Sequence, residues 1–313
     1  MSIFKSVGTS ITGMTLDEAT KAANLDWTVA KQPIYTGDLS NPITSNRHFA
    51  TVRSDTQEIL GIVGPDYQVL QNQELAWMVS RLSSADLKVE TAGYINGGSR
   101  VWYQTQGNPF DVGPKKDTNV PMCLFTNGHD GQWSLSALPV TFRIICENTL
   151  NMAITKAKSN NTIISLKHTG NIQDRLESMF LAISEFKERT EEFENKAQRL
   201  GNTPLNTEQI QKFWTGLYME MFGGIYSNPT AEYQVESNAL AKSTLTKWTD
   251  NFDSEVKDCG ANMWTAMNAV TFWLDHQQIY RGDKKLTNQF NDILFGNRSK
   301  QKLQVLSHAL MPV

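Results

Sequence analysis

Apolar and polar residues alternate with a period of two along much of the first half of the chain and recur three and four apart along much of the second, so strands are expected first and helices later. Strand signals fall at 28–35, 48–53, 58–63, 88–94, 99–106 and 122–125, each rich in β-branched or aromatic residues. Turn chemistry separates them. Ser54-Asp55 stands between the second and third runs, and Asn96-Gly97-Gly98 between the fourth and fifth. Asn127-Gly128 and Asp130-Gly131 mark a hairpin tip between 122–125 and 133–138. Thr15-Leu16-Asp17-Glu18 has the order of a capping box and predicts a short helix to about Ala23. Residues 72–82 place Leu75, Trp77, Met78, Val79 and Leu82 where an amphipathic helix would bury one face.

The stretch 126–154 holds the most information per residue. After the hairpin a second strand signal, Val140, Thr141, Phe142, Ile144 and Ile145, surrounds Arg143. A guanidinium there cannot stay desolvated and unpaired, so Arg143 either emerges at a groove or meets a carboxylate such as Asp130 or Glu147. Asn148 or Thr149 then caps an expected helix carrying Leu150, Ala153 and Ile154. Further on, Ile172, Leu176, Met179, Phe180, Ile183 and Phe186 predict a long helix that continues to about Leu200, where Gly201-Asn202-Thr203-Pro204 stops it. Residues 223–234 are the best internal break, with helices resuming near Ser237 and near Asn262. The reading is an α+β fold: an antiparallel β-rich N-terminal half with packed helices, followed by a mainly helical C-terminal region. It divides the chain into a mixed α/β core domain over 1–222 and a helical C-terminal extension over 235–313 packed on that core.

Composition narrows the partners. A chain of 313 residues with 40% hydrophobic content and 8 Trp buries a sizeable core. Its formal charge of −3 gives no global attraction to nucleic acid or acidic membranes, so any phosphate contact needs a local patch. One candidate is the C-terminal end, where residues 281–313 hold six basic and two acidic side chains; the plainer reading is a solvated helix face. Cys123, Cys146 and Cys259 form no CxxC pair, as expected of reduced thiols in the host cytoplasm. No apolar leader and no run of about eighteen apolar residues is present, so no membrane contact is expected.

No catalytic pattern in the sequence is complete. Gly8 to Thr15 has the glycine spacing of a phosphate loop, but Met14 stands where a lysine would reach the phosphates. The five histidines, at 48, 129, 168, 276 and 308, form no compact ligand spacing, so no metal or cofactor is expected. Cys146 with His129 or His168 and Asn148 names the residue types of a thiol hydrolase, against which stands an inert thiol on an apolar strand. Nucleic acid is better served. Arg100-Val101-Trp102-Tyr103-Gln104 alternates cations and aromatics, and Lys156, Lys158, Lys167 and His168 follow. With Arg143 these side chains would hold phosphates while rings stack bases, although Trp102 in a hairpin also suits a core and lysines beside Asn160 also suit a loop.

His129-Asp130-Gly131, Pro139-Val140-Thr141-Phe142-Arg143 and Cys146-Glu147-Asn148-Thr149-Leu150 carry a family resemblance, extended by Ser165-Leu166-Lys167-His168-Thr169, by the run from Trp264 to Thr271 and by Asp275-His276. The chain resembles the phage/plasmid-like protein family built on a domain of unknown function. Gln132-Trp133 departs from the small residues usual after Asp-Gly in that family. The resemblance implies a mobile-element protein and no established activity. Its expected role is non-enzymatic binding or annealing of single-stranded DNA in replication or recombination, as a homo-oligomer. The alternative is a protein-interaction or host-modulating factor that touches no nucleic acid.

Overall fold

The computed structural model describes residues 3–38, 40–82, 87–151, 164–166, 168, 172–223 and 238–311. It is an α+β protein whose antiparallel sheets lie in the N-terminal half and whose later elements are helices, as the periodicities predict. Two compact units are interleaved along the chain.

The first unit takes Met1–Asn108, Met122–Pro139 and Asn161–Lys187. It contains α1 (Ile3–Val7), β1 (Thr9–Ser10), α2 (Leu16–Ala22), β2 (Val29–Thr36), β3 (Ile43–Arg53), β4 (Ile59–Val63), α3 (Asn72–Leu82), β5 (Lys88–Ile95) and β6 (Arg100–Gln106). Strands β2, β3 and β4 form a three-stranded antiparallel sheet. In a second sheet β1 pairs with β5, β5 with β6, and β6 with residues 122–128 of β8 (Asp117–Gly128). Residues 135–137 of β9 (Leu135–Arg143) pair with β11 (Ile164–Leu166). The β5–β6 turn shows why glycine is needed there: Gly98 has φ +103, and a Cβ would lie 2.9 Å from the Trp27 ring. The Thr15 capping box starts α2 as expected. Gly8, which supplied the phosphate-loop spacing, instead packs against a core ring, since a Cβ there would meet Trp102 at 2.4 Å.

The second unit takes Pro109–Pro121, Val140–Asn160 and Glu188–Val313. Here β7 (Phe110–Val112) pairs with residues 117–119 of β8, and residues 140–142 of β9 pair with β10 (Thr149–Asn151). Its helices are the end of α4 (Ile172–Gly201), α5 (Thr207–Phe222), α6 (Ala239–Cys259), α7 (Met263–His276), α8 (Lys285–Leu294) and α9 (Asn297–Ala309). Helix α7 is buried nearly all round, as its apolar sequence MWTAMNAVTFWL requires. Its Trp273 meets Trp248 of α6 edge to face, and Trp214 of α5 meets Phe252 of α6 in the same way.

Two local expectations are corrected. Residues 149–151 form a strand rather than the first turn of a helix; Ala153 and Ile154 lie outside the described residues. The two strand runs on either side of Pro139 are one strand that ends at Arg143, leaving Ile144 and Ile145 about half exposed in the turn. That turn passes through Glu147 at φ 55.

Candidate functional site

Arg143 is the last residue of β9 and is 2% exposed. Its Nε donates to Asp117 Oδ2 at 2.5 Å, and its Nη1 donates to Glu255 Oε2 at 2.5 Å. The remaining donors reach sulfur: Nη1 lies 3.0 Å from Cys146 Sγ and Nη2 lies 3.0 Å from Cys259 Sγ. Trp264 Nε1 adds a 2.7 Å bond to the same Asp117 oxygen. Strand, turn and two helices thus converge on one guanidinium, each of whose three nitrogens has a partner, as a buried charge requires. Burial alone would lower the Arg143 pKa, but Cys146, Glu255 and Asp117 more than offset this and hold it above its ordinary value. Burial pushes the Cys146 thiol up to about 12 and the Cys259 thiol up to about 11. Both therefore stay protonated at neutral pH, the opposite of a poised nucleophile.

A second buried charge lies in the same unit. Lys302 of α9, 1% exposed, donates to Thr149 O at 2.6 Å and Thr149 Oγ1 at 2.9 Å. It also stands 2.8 Å from Asp275 Oδ1, an ionic contact outside directed hydrogen-bond geometry. Asp275 Oδ2 accepts from Thr149 N at 2.8 Å, and Asn148 Nδ2 donates to Asn268 O and to Thr271 Oγ1. These bonds account for the strand at 149–151: its backbone is claimed by β9 on one side and by α7 and α9 side chains.

In the first unit, Arg100 lies 3.6 Å from Asp130 and over the Trp133 ring at 3.9 Å. Tyr103, three residues on along β6 and so on its other face, is 1% exposed. His168 stacks on Tyr67 at 4.8 Å between centroids, and its main chain accepts from Gln68 N. His129, fully buried, bonds Asn72 Oδ1 at 2.9 Å, while Asn72 Nδ2 reaches Leu25 O and Trp27 O. Burial drives the His129 pKa down to about 3, with His168 adding to the effect, so the ring is neutral.

Exposed cations collect elsewhere, on the loop between α7 and α8 and the first residue of α8. Arg281, Lys284 and Lys285 are exposed there around Asp283, beside Ile279, which is 80% exposed. The other basic residues of the C-terminal end divide: Lys302 is buried, Arg298 lies 3.7 Å from Asp292, and Lys300 is exposed.

Of the expected binding residues, Arg143 has become the centre of an ion cluster with Cys146 beside it, whereas Asp130 has Arg100 as its cation and His168 contacts Tyr67 and Gln68. Arg100 and Tyr103 share a strand but not a face. Lys156, Lys158 and Lys167 lie outside the described residues. Sequence reasoning missed Asp117, Glu255, Cys259 and Lys302. Trp264 and Asp275 were within reach, because both stand in the segments that carry the family resemblance. Among the described residues no group of three or more His, Cys, Asp or Glu is placed to hold a metal ion, and no helix is long and apolar enough to cross a membrane.

Compared with known families, residues 59–294 match the one described as Domain of unknown function (DUF932). No curated protein and no solved structure matches the chain.

Proposed function

The chain belongs to the DUF932 family, and from that premise we propose that it is a non-enzymatic binding protein of a phage or plasmid that engages single-stranded DNA in the host cytoplasm as a homo-oligomer. The observation that carries this reading is the loop between α7 and α8 with the first residue of α8, where Arg281, Lys284 and Lys285 are exposed together. Phosphate contacts need hydrated, reachable cations, and each one formed releases counterions from the strand. Arg143 and Lys302 are spent inside the fold, and Arg143 serves the reading by fixing the strand and helices rather than by touching DNA. Bases would pack beside the cations against apolar surface such as Ile279, with no nucleophile required.

Fluorescence anisotropy of a labelled single-stranded oligonucleotide at two salt concentrations, with a duplex control, tests this. Binding should weaken with salt. Replacing Arg281, Lys284 and Lys285 together by Gln should reduce the slope of log affinity against log salt by about 2, at roughly 0.7 per phosphate. A matching triple replacement of Lys156, Lys158 and Lys167 measures the share of the other lysines. No binding by wild-type protein at low salt sinks the reading.

A second reading has its own observation. Ile59 and Ile62 of β4, 65% and 50% exposed, lie on one face of the three-stranded sheet, and Tyr35 and Ile43 are exposed near the tip of the β2–β3 hairpin. Apolar sheet surface of this kind suits a protein partner. A DNA-independent complex that is lost in Ile59→Lys with Ile62→Lys, while DNA binding stays intact, would favour it.

A further inference from the structure

The loop that follows α7 is held in place from behind. Gln278 Nε2 donates to Trp273 O at 3.0 Å and its Oε1 accepts from Arg298 Nη2 at 2.9 Å, while the Tyr280 hydroxyl donates to Asp292 Oδ2 at 2.9 Å. Residues 278 and 280 are thereby tied to α7, α8 and α9, whereas Ile279 between them and Arg281 after them are exposed. Lys285 N closes the loop onto Gly282 O at 3.2 Å, with Gly282 at φ +81. The cations therefore sit on a preformed surface rather than on a free chain, and less freedom is lost when a ligand binds them.

A ring borders this surface. His276, the last residue of α7, is exposed, and it rests against the ring of Phe272 one turn earlier, with centroids 4.7 Å apart and planes at 40°. Gln289 of α8 donates to the carbonyl of Asp275, the neighbour of His276, at 3.0 Å, and Lys285 lies one turn before Gln289 on the same face of α8. The imidazole and the first cation of α8 thus border the same end of α7. Phosphate contacts alone do not distinguish a single strand from a duplex, because both present a charged backbone. A ring does, since only a single strand has base faces free to cover it.

We propose that His276, backed by Phe272, is the base-stacking platform of this site and gives it a preference for single-stranded over duplex DNA. The proposal rests on the reading of the cation loop as a DNA contact and names the group that meets a base: phosphates lie on Arg281, Lys284 and Lys285, and a base lies on the imidazole. Histidine is among the side chains on which unpaired bases stack, and its ring nitrogens stay hydrated at the edge while its face is covered.

Anisotropy of the full chain with three labelled probes of equal length tests the platform: a single strand, a duplex, and a single strand of abasic residues, which keeps the phosphates and has no bases. Wild-type protein should prefer the single strand to both others. His276→Ala should weaken the single strand about five- to thirtyfold, the worth of one stacked base, with no change in the slope of log affinity against log salt and none in affinity for the abasic strand. His276→Phe, which returns a ring without the imidazole nitrogens, should restore binding, and His276→Gln, polar and of similar reach, should not. Circular dichroism establishes that each variant is folded. The proposal is overturned if the alanine and glutamine variants bind the single strand as wild type does, if they weaken the abasic strand equally, or if the duplex is bound as tightly as the single strand; in each case binding by the cation loop is left standing. No binding of the single strand by wild-type protein removes the reading and the platform together.

Discussion

Arg143 illustrates how one side chain can bind sequence-distant segments into a unit. Its carboxylate partners stand 26 and 112 residues away. Removing the guanidinium leaves Asp117 and Glu255 facing each other's charge without water, so Arg143→Met should cost about 3–5 kcal/mol in denaturant unfolding; a loss below about 1 kcal/mol would mean the cluster is solvated. That Arg143 within an apolar strand must either open onto a groove or meet a carboxylate was legible in the sequence; which of the two was not. Nor was the particular carboxylate legible, because Asp130 and Glu147 were the nearest in the chain and proximity in sequence says nothing of a helix that returns a hundred residues later. His129 yields a prediction in pH. Its pKa is about 3 in the fold against about 6.5 in the unfolded chain. Above pH 6.5 both states are neutral and the ring makes no contribution; as pH falls from 6.5 toward 3 the unfolded chain takes up a proton that the folded state refuses. Stability therefore drops by about 1.4 kcal/mol per pH unit in that window. His129→Gln, which retains an amide for Asn72, should spare about 2 kcal/mol of the loss between pH 7 and 5, read from urea midpoints; equal losses in both proteins would rule the histidine out.

At the scale of elements, the rules that worked were those whose signal is local. The capping box at Thr15, the hairpin glycines at 97 and 98 and the amphipathic stretch 72–82 each write their conformation into neighbouring residues. Thr149 and Leu150 failed for the complementary reason: Asn-Thr-Leu reads locally as a helix cap, but the Thr149 amide and hydroxyl are taken by Asp275 Oδ2 and its carbonyl by Lys302. Tertiary partners overrode the propensity. The same contrast can be measured at α7. Asn262 accepts from Thr265 N at 2.9 Å and donates to Cys259 O at 2.8 Å, so one buried side chain ends α6 and begins α7. Asn262→Ala should cost about 1–2 kcal/mol, at or above the usual worth of an N-cap, because the Cys259 carbonyl loses its donor as well. Asn238→Ala removes a more exposed cap at the start of α6 and should cost less. Equal losses at the two sites would show that the second bond contributes nothing.

At the scale of the molecule, the two units are each assembled from three separate stretches of chain, and this has a consequence for where stability resides. The helices after residue 188 look self-sufficient in sequence, with amphipathic spacing, caps and an aromatic core. Their buried polar and charged groups are nonetheless completed from earlier segments: Glu255 and Cys259 by Arg143, Trp264 by Asp117, and Lys302 by Thr149. A fragment of residues 188–313 would keep Glu255, Asp275 and Lys302 but lose Asp117, Arg143 and Thr149. Lys302 would retain Asp275 alone, and Glu255 would have to hydrate or protonate, which opens the helix face that packs around it. Helical content should therefore survive in the fragment while cooperativity does not: its circular dichroism should fade broadly on heating, where the second unit within the full chain melts sharply. Supplying 109–160 on the same polypeptide should restore the sharp transition. A fragment that melts as cooperatively as the full chain, and at the same temperature, would instead place the stability of this unit in the apolar packing around α7 and reduce the Arg143 cluster to a device for choosing which earlier strand docks there.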